Sequence, residues 1–271
     1  MKNILIKLSI IFLIFAALTA CAKQKQGLTV KDGILTVGVE VGYPPMEYYD
    51  TDGITLLGFD IELTKALAEK LGLKINYVDT TWENILAGLD ARRYDIVVNV
   101  TILPERQKRY NFTKPYIDSS MTIVGTKNSL LRIDTPNDIT GSRVAYQGDT
   151  TAQYFTERLK KQGVSFTSFS YDKIIYCFED LRLGRVDLVV VDNIVAYDYM
   201  GKRNSPFQIL WQGPSDEYIG MCLKKGNDAL TAALNDALDE LFEDGTMLDI
   251  SQRIFNRDMV SLIGELNRME N

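Results

Sequence analysis

Strand-like and helical runs alternate along the chain in two successive series, with no flexible linker between them. Ile34 to Val39 is rich in β-branched residues. Asp60 to Leu71 has helical spacing, with Asp60 placed as N-cap and Gly72 just past the end. Lys74 to Val78 returns to strand, and Thr80-Thr81-Trp82-Glu83 has the form of a capping box for a helix through Leu89. Tyr94 to Val100 and Met121 to Val124 are apolar, β-branched strands. The pattern restarts with a strand at Arg143 to Tyr146, a helix from Thr151 to Gln162 closed by Gly163, and a strand at Ser165 to Phe169. A helix through Leu183 and the buried strand Val186 to Val191 complete it. Asn227 to Phe242 and Met247 to Phe255 are helical, and no internal repeat is visible. Such alternation builds α/β units with a mostly parallel sheet and helices on its faces. Two units in series predict two lobes joined by strands, with a ligand cleft at the carboxyl ends of the strands.

Composition narrows what that cleft does. The 271 residues include 30 Lys+Arg against 36 Asp+Glu, three Cys and no His. A net charge of −6 argues against nucleic acid as a partner, because phosphate binding needs a basic footprint. Without His there is no Ser–His–Asp or Cys–His nucleophile and no HExxH zinc site. No side chain titrates near neutrality unless its environment shifts it. No metal or cofactor is expected. Function must rest on carboxylates, Arg, Lys, hydroxyls, aromatics and backbone groups, which points to binding rather than catalysis.

Residues 1–20 read as a secretory leader. Lys2 and Lys7 precede the apolar stretch Leu8 to Ala17, and Leu18-Thr19-Ala20-Cys21 follows. The stretch is shorter than the roughly 20 residues that span a bilayer. Leu-x-Ala-Cys has the form of a bacterial lipobox, in which Cys21 takes lipid (palmitate among its acyl chains) and becomes the new N-terminus. Residues 21–30 are then lipidated Cys and tether, on an exported chain held at the cell envelope by lipid alone. Cys177, in a helical segment, and Cys222, in a strand-like one, are either buried thiols or a disulfide pair.

Several residues stand where a cleft needs them. Thr101 and Arg106 flank a strand-to-helix turn, where a hydroxyl, a guanidinium fork and free N–H groups converge on one anion. A surface Arg at a basic helix start is the plainer reading. Tyr43, in a loop stiffened by Pro44-Pro45, and Trp82 offer aromatic walls that suit aliphatic stems and cations, or else fill core. Gly148-Asp149-Thr150-Thr151 opens a helix and serves either as an anion site or as a simple cap. Asp192, at the carboxyl end of a buried strand, faces an ammonium or caps the next helix. A carboxylate binder, an ammonium binder and aromatic walls together suit a zwitterionic amino acid, with lobe closure as the readout.

Taken in order, several motifs resemble one family: Tyr43-Pro44-Pro45, Gly58-Phe59-Asp60-Ile61, Thr101-Ile102-Leu103-Pro104-Glu105-Arg106, Asn111-Phe112-Thr113-Lys114-Pro115-Tyr116, Gly148-Asp149-Thr150-Thr151, Gly184-Arg185-Val186-Asp187 with Asp192, and Asp244-Gly245-Thr246. Over residues 34–255 the chain resembles the solute-binding lipoproteins of polar amino-acid ABC importers (family 3), which have the type II periplasmic binding fold. That fold is two Rossmann-like α/β lobes with mixed, mostly parallel sheets, joined by two hinge strands around a ligand cleft. The resemblance implies lobe I over 31–120 plus 216–271, lobe II over 121–215, and hinges near 118–124 and 212–218. It assigns the α-carboxylate to Arg106, helped by Thr101 and Thr150, and the α-ammonium to Asp192. Tyr43 and Trp82 flank the side chain, Glu40 reads its far end, and Tyr146 and Gln147 line the second lobe. Asn99 joins the ligand set, although this chain is one residue shorter than the usual pattern between Asp95 and Thr101. The implied partners are a free amino acid (Arg or Lys favoured, then Gln or cystine) and the permease subunits of an importer, with the protein a monomer. The resemblance places Cys177 and Cys222 on different lobes, where a disulfide would obstruct opening. The alternative is an enzyme on the same fold, such as a cyclohexadienyl (arogenate or prephenate) dehydratase, with Glu40 as the acid.

Overall fold

A computed structural model describes residues 27–269. The leader, Cys21 and the tether through residue 26 lie outside the described residues. From the amino end, β1 (Ile34–Val39) leads through a hairpin, β2 (Tyr48–Tyr49) and β3 (Leu56–Leu57), into α1 (Phe59–Lys70). Then come β4 (Lys74–Asp79), α2 (Trp82–Asp90), β5 (Ile96–Thr101), the one-turn α3 (Pro104–Gln107), β6 (Tyr110–Phe112) and β7 (Ile117–Ser119). Past Ser120 the chain enters a second unit: β8 (Met121–Thr126), β9 (Arg143–Gln147), α4 (Thr151–Lys161), β10 (Thr167–Tyr171) and α5 (Ile174–Arg182). That unit ends with β11 (Leu188–Asp192), α6 (Asn193–Gly201) and β12 (Phe207–Gln212). Residues 213–216 carry the chain back to β13 (Glu217–Lys224), α7 (Asp228–Glu243), α8 (Thr246–Phe255) and α9 (Ser261–Met269).

One sheet has the order β4-β1-β5-β13-β6, with β7 also on β13, and the other β10-β9-β11-β8-β12. In both, the first three strands run parallel. The fourth, β13 or β8, follows a crossing from the other lobe and pairs antiparallel. Each lobe is therefore completed by a strand that arrives from its neighbour, and the sheets are mixed.

The two lobes share a local device that the linear sequence conceals. Asp95, just before β5, accepts the Thr36 N–H at 2.7 Å, and its own N–H bonds the Thr36 carbonyl. Asp187, just before β11, does the same to Arg143, accepting its N–H at 2.8 Å and returning an N–H to its carbonyl. Each aspartate thus fixes the register between two neighbouring parallel strands, β1 with β5 and β9 with β11.

Period-2 alternation explains the cores. In β11, Val189 and Val191 pack under α5 and α6, whereas Leu188 and Val190 face the opposite side with Phe155 and Leu159 of α4. Burying such side chains contributes about 1.5–3 kcal/mol each. In β5, Ile96 and Val98 face one cluster, while Val97 and Val100 share the other. Residues 97 and 100 share a face because the strand bulges: Val100 pairs Gly220 and Val97 pairs Cys222, so β5 carries one extra residue.

Several local expectations change in three dimensions. Asp60 is not an N-cap; Gly58 holds that position, and Asp60 is fully buried in the first turn of α1. Gly58 has φ 127°, and a Cβ there would lie 2.1 Å from the Met46 carbonyl oxygen, so only glycine fits. Thr81 is the N-cap of α2, but its side chain makes no capping bond; its hydroxyl accepts from the Asn84 side chain instead. The strand expected at Ser165 to Phe169 begins two residues later, at Thr167. Cys177 and Cys222 are both free and fully buried, on different lobes. Burial raises both thiols, Cys222 to about 12.

Candidate functional site

Between the lobes lies a cleft lined by Glu40, Tyr43, Glu47, Trp82, Asn99, Thr101, Arg106, Ser119, Gln147, Thr150, Thr151, Asp192, Glu217 and Ile219. It sits where the carboxyl ends of β1 and β5 face those of β9 and β11, as open α/β sheets place their ligands.

Arg106 is set by α3. Pro104 takes the first helical position, where its missing N–H costs nothing, and the short helix turns Arg106 inward until it is 8% exposed. One guanidinium N–H donates to the Thr101 carbonyl at 3.2 Å, and the group lies over the Trp82 ring at 5.9 Å from its centroid. Opposite stands α4. Its N-cap Thr150 does not cap; the hydroxyl donates back to the Gln147 carbonyl at 2.7 Å. The first turn of α4, with no side-chain cap, therefore presents N–H groups at a positive helix end. A guanidinium on one lobe and a helix N-terminus on the other make this side of the cleft receptive to a carboxylate.

Asp192 is the helix cap that its position suggested, and its second oxygen faces the cleft. One carboxylate oxygen caps α6, accepting the Val195 N–H at 3.0 Å, and the other accepts the Tyr43 hydroxyl from the opposite lobe. Burial raises its pKa, and the bonds from Tyr43 and the helix N–H groups oppose that rise.

Glu40 and Gln147 meet across the cleft, with the Gln147 amide donating to both Glu40 oxygens at 2.8 and 2.9 Å. Burial raises Glu40 to about 7, while the Gln147 bond and the charge of Lys173 pull the other way. Further contacts close the mouth: Trp82 Nε1 donates to the Asp149 carbonyl and Lys173 Nζ to the Val41 carbonyl, each at 3.0 Å.

Nine of the ten candidate residues line the cleft. Tyr146 does not. It is next to Gln147 on β9, so its side chain points to the other face and packs among Met121, Ile123 and Phe155. Sequence reasoning left Glu47, Ser119, Thr151, Glu217 and Ile219 unassigned. Thr151 ends the Gly148-Asp149-Thr150-Thr151 motif and Glu47 follows Tyr43-Pro44-Pro45 by two residues, whereas Ser119, Glu217 and Ile219 reach the cleft only through the crossings between lobes. Glu217 is raised to about 7 by burial and by Asp192; Thr151 contacts it at 3.3 Å and Ser119 at 3.5 Å.

With that geometry in view, the comparisons with known proteins agree. The model of bacterial extracellular solute-binding proteins, family 3, matches residues 35–257. The L-cystine-binding protein TcyJ of Escherichia coli (strain K12) is 36% identical over 228 residues, covering 84% of each chain. The ABC transporter arginine-binding protein 1 of the same organism is 30% identical over 82% of this chain and 90% of its own. Among solved structures, an ancestral arginine-binding protein bound to arginine superposes with a TM-score of 0.78 at 34% identity, over 82% of this chain and 98% of its own. Motif order, the two crossed sheets and the cleft between them thus have one explanation: the chain belongs to the bacterial extracellular solute-binding proteins of family 3.

Proposed function

We propose that this protein is the amino-acid-capturing component of an ABC importer, closing two lobes on its ligand and delivering it to a permease. The observation that carries this reading is the placement of Arg106 and Asp192 on opposite lobes of one aromatic-walled cleft. Arg106, with Thr101, Thr150 and the α4 N-terminus, takes the α-carboxylate. Asp192 takes the α-ammonium, and Tyr43 and Trp82 flank the aliphatic part.

The ligand class follows from charge. Four carboxyls, those of Glu40, Glu47, Asp192 and Glu217, face one guanidinium in the lining. Burial raises Glu40 and Glu217 to about 7, so a cation at the far end of the ligand draws Glu40 into its ionised form, and the cleft favours a ligand that carries one. Arginine and lysine provide one, and so does the second amino group of cystine. Two relatives bind cystine and arginine by name.

A thermal-shift screen of the twenty amino acids and cystine tests this, because a ligand of the native state raises apparent stability by mass action. Basic amino acids or cystine are expected to give the largest shifts; no shift with any of them refutes the reading. Incubation with prephenate or arogenate is expected to give no product, and turnover would establish the dehydratase alternative.

The leader features support export and a tether through lipid on Cys21. Cys21→Ala is expected to release the protein from the membrane fraction, and retention there would refute the anchor.

A further inference from the structure

Beneath the cleft lies a pair of acids that ligand capture, as described, does not use. Glu47 lines the cleft floor, 3% exposed, and Asp60 lies behind it on α1, fully buried. The Asp60 N–H donates to the carbonyl of Met46, the neighbour of Glu47, at 3.1 Å, which brings the two acids side by side. Two ionised carboxylates only accept, so a bond between them needs a proton. Glu47 Oε2 and Asp60 Oδ2 are both buried without a partner, and one proton held between the carboxyls satisfies both at once.

The surroundings favour that proton. Glu40, just past β1, and Asp192 on β11 act on Glu47 as further negative charges, and the Tyr43 phenol faces it. Asp60 meets the Tyr116 phenol, and Tyr77 on β4 lies near it. These groups are acids or phenols; none is a cation. Burial and mutual repulsion raise Glu47 well above the carboxylate range, and burial raises Asp60 to about 6.

The pair leads to a strained backbone position. Tyr116 donates to Asp60 Oδ1 at 2.7 Å and accepts the Asn99 N–H at 2.8 Å. Asn99 is the left-handed residue of the β5 bulge, with φ 56°, and it lines the cleft. A bulge residue in that conformation is left outside the strand ladder, and the phenol supplies its missing acceptor.

We propose that Glu47 and Asp60 share one proton and act as positioning residues, holding through Tyr116 the left-handed backbone of Asn99 against the bound amino acid. The affinity part of this proposal rests on the amino-acid-binding reading; the proton and its effect on Asn99 do not. As pH rises far enough to remove the shared proton, the pair becomes a buried dianion, the carboxyl–carboxyl bond is lost, and Tyr116 and Asn99 shift.

The test is NMR of the ligand-free protein from pH 5 to 9, following the side-chain carboxyl carbons of Glu47 and Asp60 and the Asn99 amide. At pH 7 one carboxyl is expected at its protonated position, with the Asn99 amide following the midpoint of the pair. In Glu47→Gln, which keeps a neutral donor, and in Tyr116→Phe, which cuts the relay, the Asn99 amide is expected to lose that pH response. Two ionised carboxyls at pH 7, or an Asn99 amide indifferent to the pair in the wild type, would overturn the proposal. In calorimetry Glu47→Ala is expected to lose about tenfold more affinity than Glu47→Gln, the cost of an orphaned buried polar group. Equal losses overturn the positioning role. If the wild type binds no amino acid at all, the binding reading fails, and the spectra of the ligand-free protein still decide the proton.

Discussion

At the carboxyl end of β1 one lobe carries Glu40, and at that of β9 the other carries Gln147; at the end of β5 come Thr101 and then Arg106, and at the end of β11 Asp192. The scaffolds behind these ends are alike. Both sheets run three strands in parallel, β4-β1-β5 or β10-β9-β11, then a strand that follows a crossing, and both lock the middle strand to the next through an aspartate, Asp95 or Asp187. Strand interiors are constrained by packing on two faces, so Ile96-Val97-Val98 and Leu188-Val189-Val190 differ little. Strand ends meet the cleft instead of a helix and are free to diverge. Equivalent positions therefore carry complementary groups: acid against amide, cation against anion. The lobes also differ in how they hold charge. Arg106 stands on a one-turn helix stacked on Trp82, while Asp192 is built into the cap of the nine-residue α6.

Substitutions at these paired ends test the comparison. Arg106→Ala is expected to have the largest effect, lowering amino-acid affinity about 100-fold or more in calorimetry while circular dichroism stays native, as for one partner of a buried charge pair. Near-unchanged affinity would remove the first lobe's cation from the account. Asp192→Asn is expected to cost about 30-fold in affinity with little change in melting temperature, because Asn caps a helix as well as Asp while losing the charge. A large drop in stability instead would mean that Asp192 serves mainly its own lobe.

Glu40→Gln comes next, weakening a cationic ligand about tenfold more than a neutral one; equal losses would take Glu40 out of specificity. The same residue sets a pH dependence. Glu40 is raised to about 7, so the cation partner is lost as pH falls below about 7, and affinity for a basic ligand is expected to decline from pH 8 to pH 5.5. Stability without ligand has the opposite sign. Glu40 and Glu217, both raised to about 7, bind more protons folded than unfolded, so their contribution is present below the unfolded value and lost as pH rises through 7. In urea titrations Glu40→Gln and Glu217→Gln are each expected to flatten the loss of stability between pH 5 and 8. An unchanged slope would show that the cleft acids ionise freely.

The smallest signal uses the buried thiols, one per lobe. Cys177 and Cys222 are expected to resist a thiol reagent in the native protein and to label at different urea concentrations if the lobes unfold separately. Simultaneous labelling would mean that the crossing strands bind both lobes into one cooperative unit.

Much of this was legible in the chain. Arg106, Asp192, Trp82 and Tyr43 could be named because each lies at the end of a recognisable run, where strand periodicity stops and cleft-facing positions begin; Glu40 and Gln147 were implied by the family resemblance alone. Tyr146 could not be separated from Gln147, since neighbours on a strand face opposite sides and the register of β9 is set by β10 and β11. Glu217 was invisible because it meets Thr151 and Asp192 only after the chain has crossed between the lobes and back.

The sequence by itself determined the alternation of strands and helices, the absence of histidine chemistry and the identity of the groups at the strand ends, because these depend on side-chain type and local spacing. The tertiary structure alone decided which distant groups share an environment. It paired Glu47 with Asp60, linked Asp60 through Tyr116 to Asn99, and set Glu40 against Gln147. Whether a carboxyl ionises depends on burial and neighbours, and those exist only once the lobes are assembled.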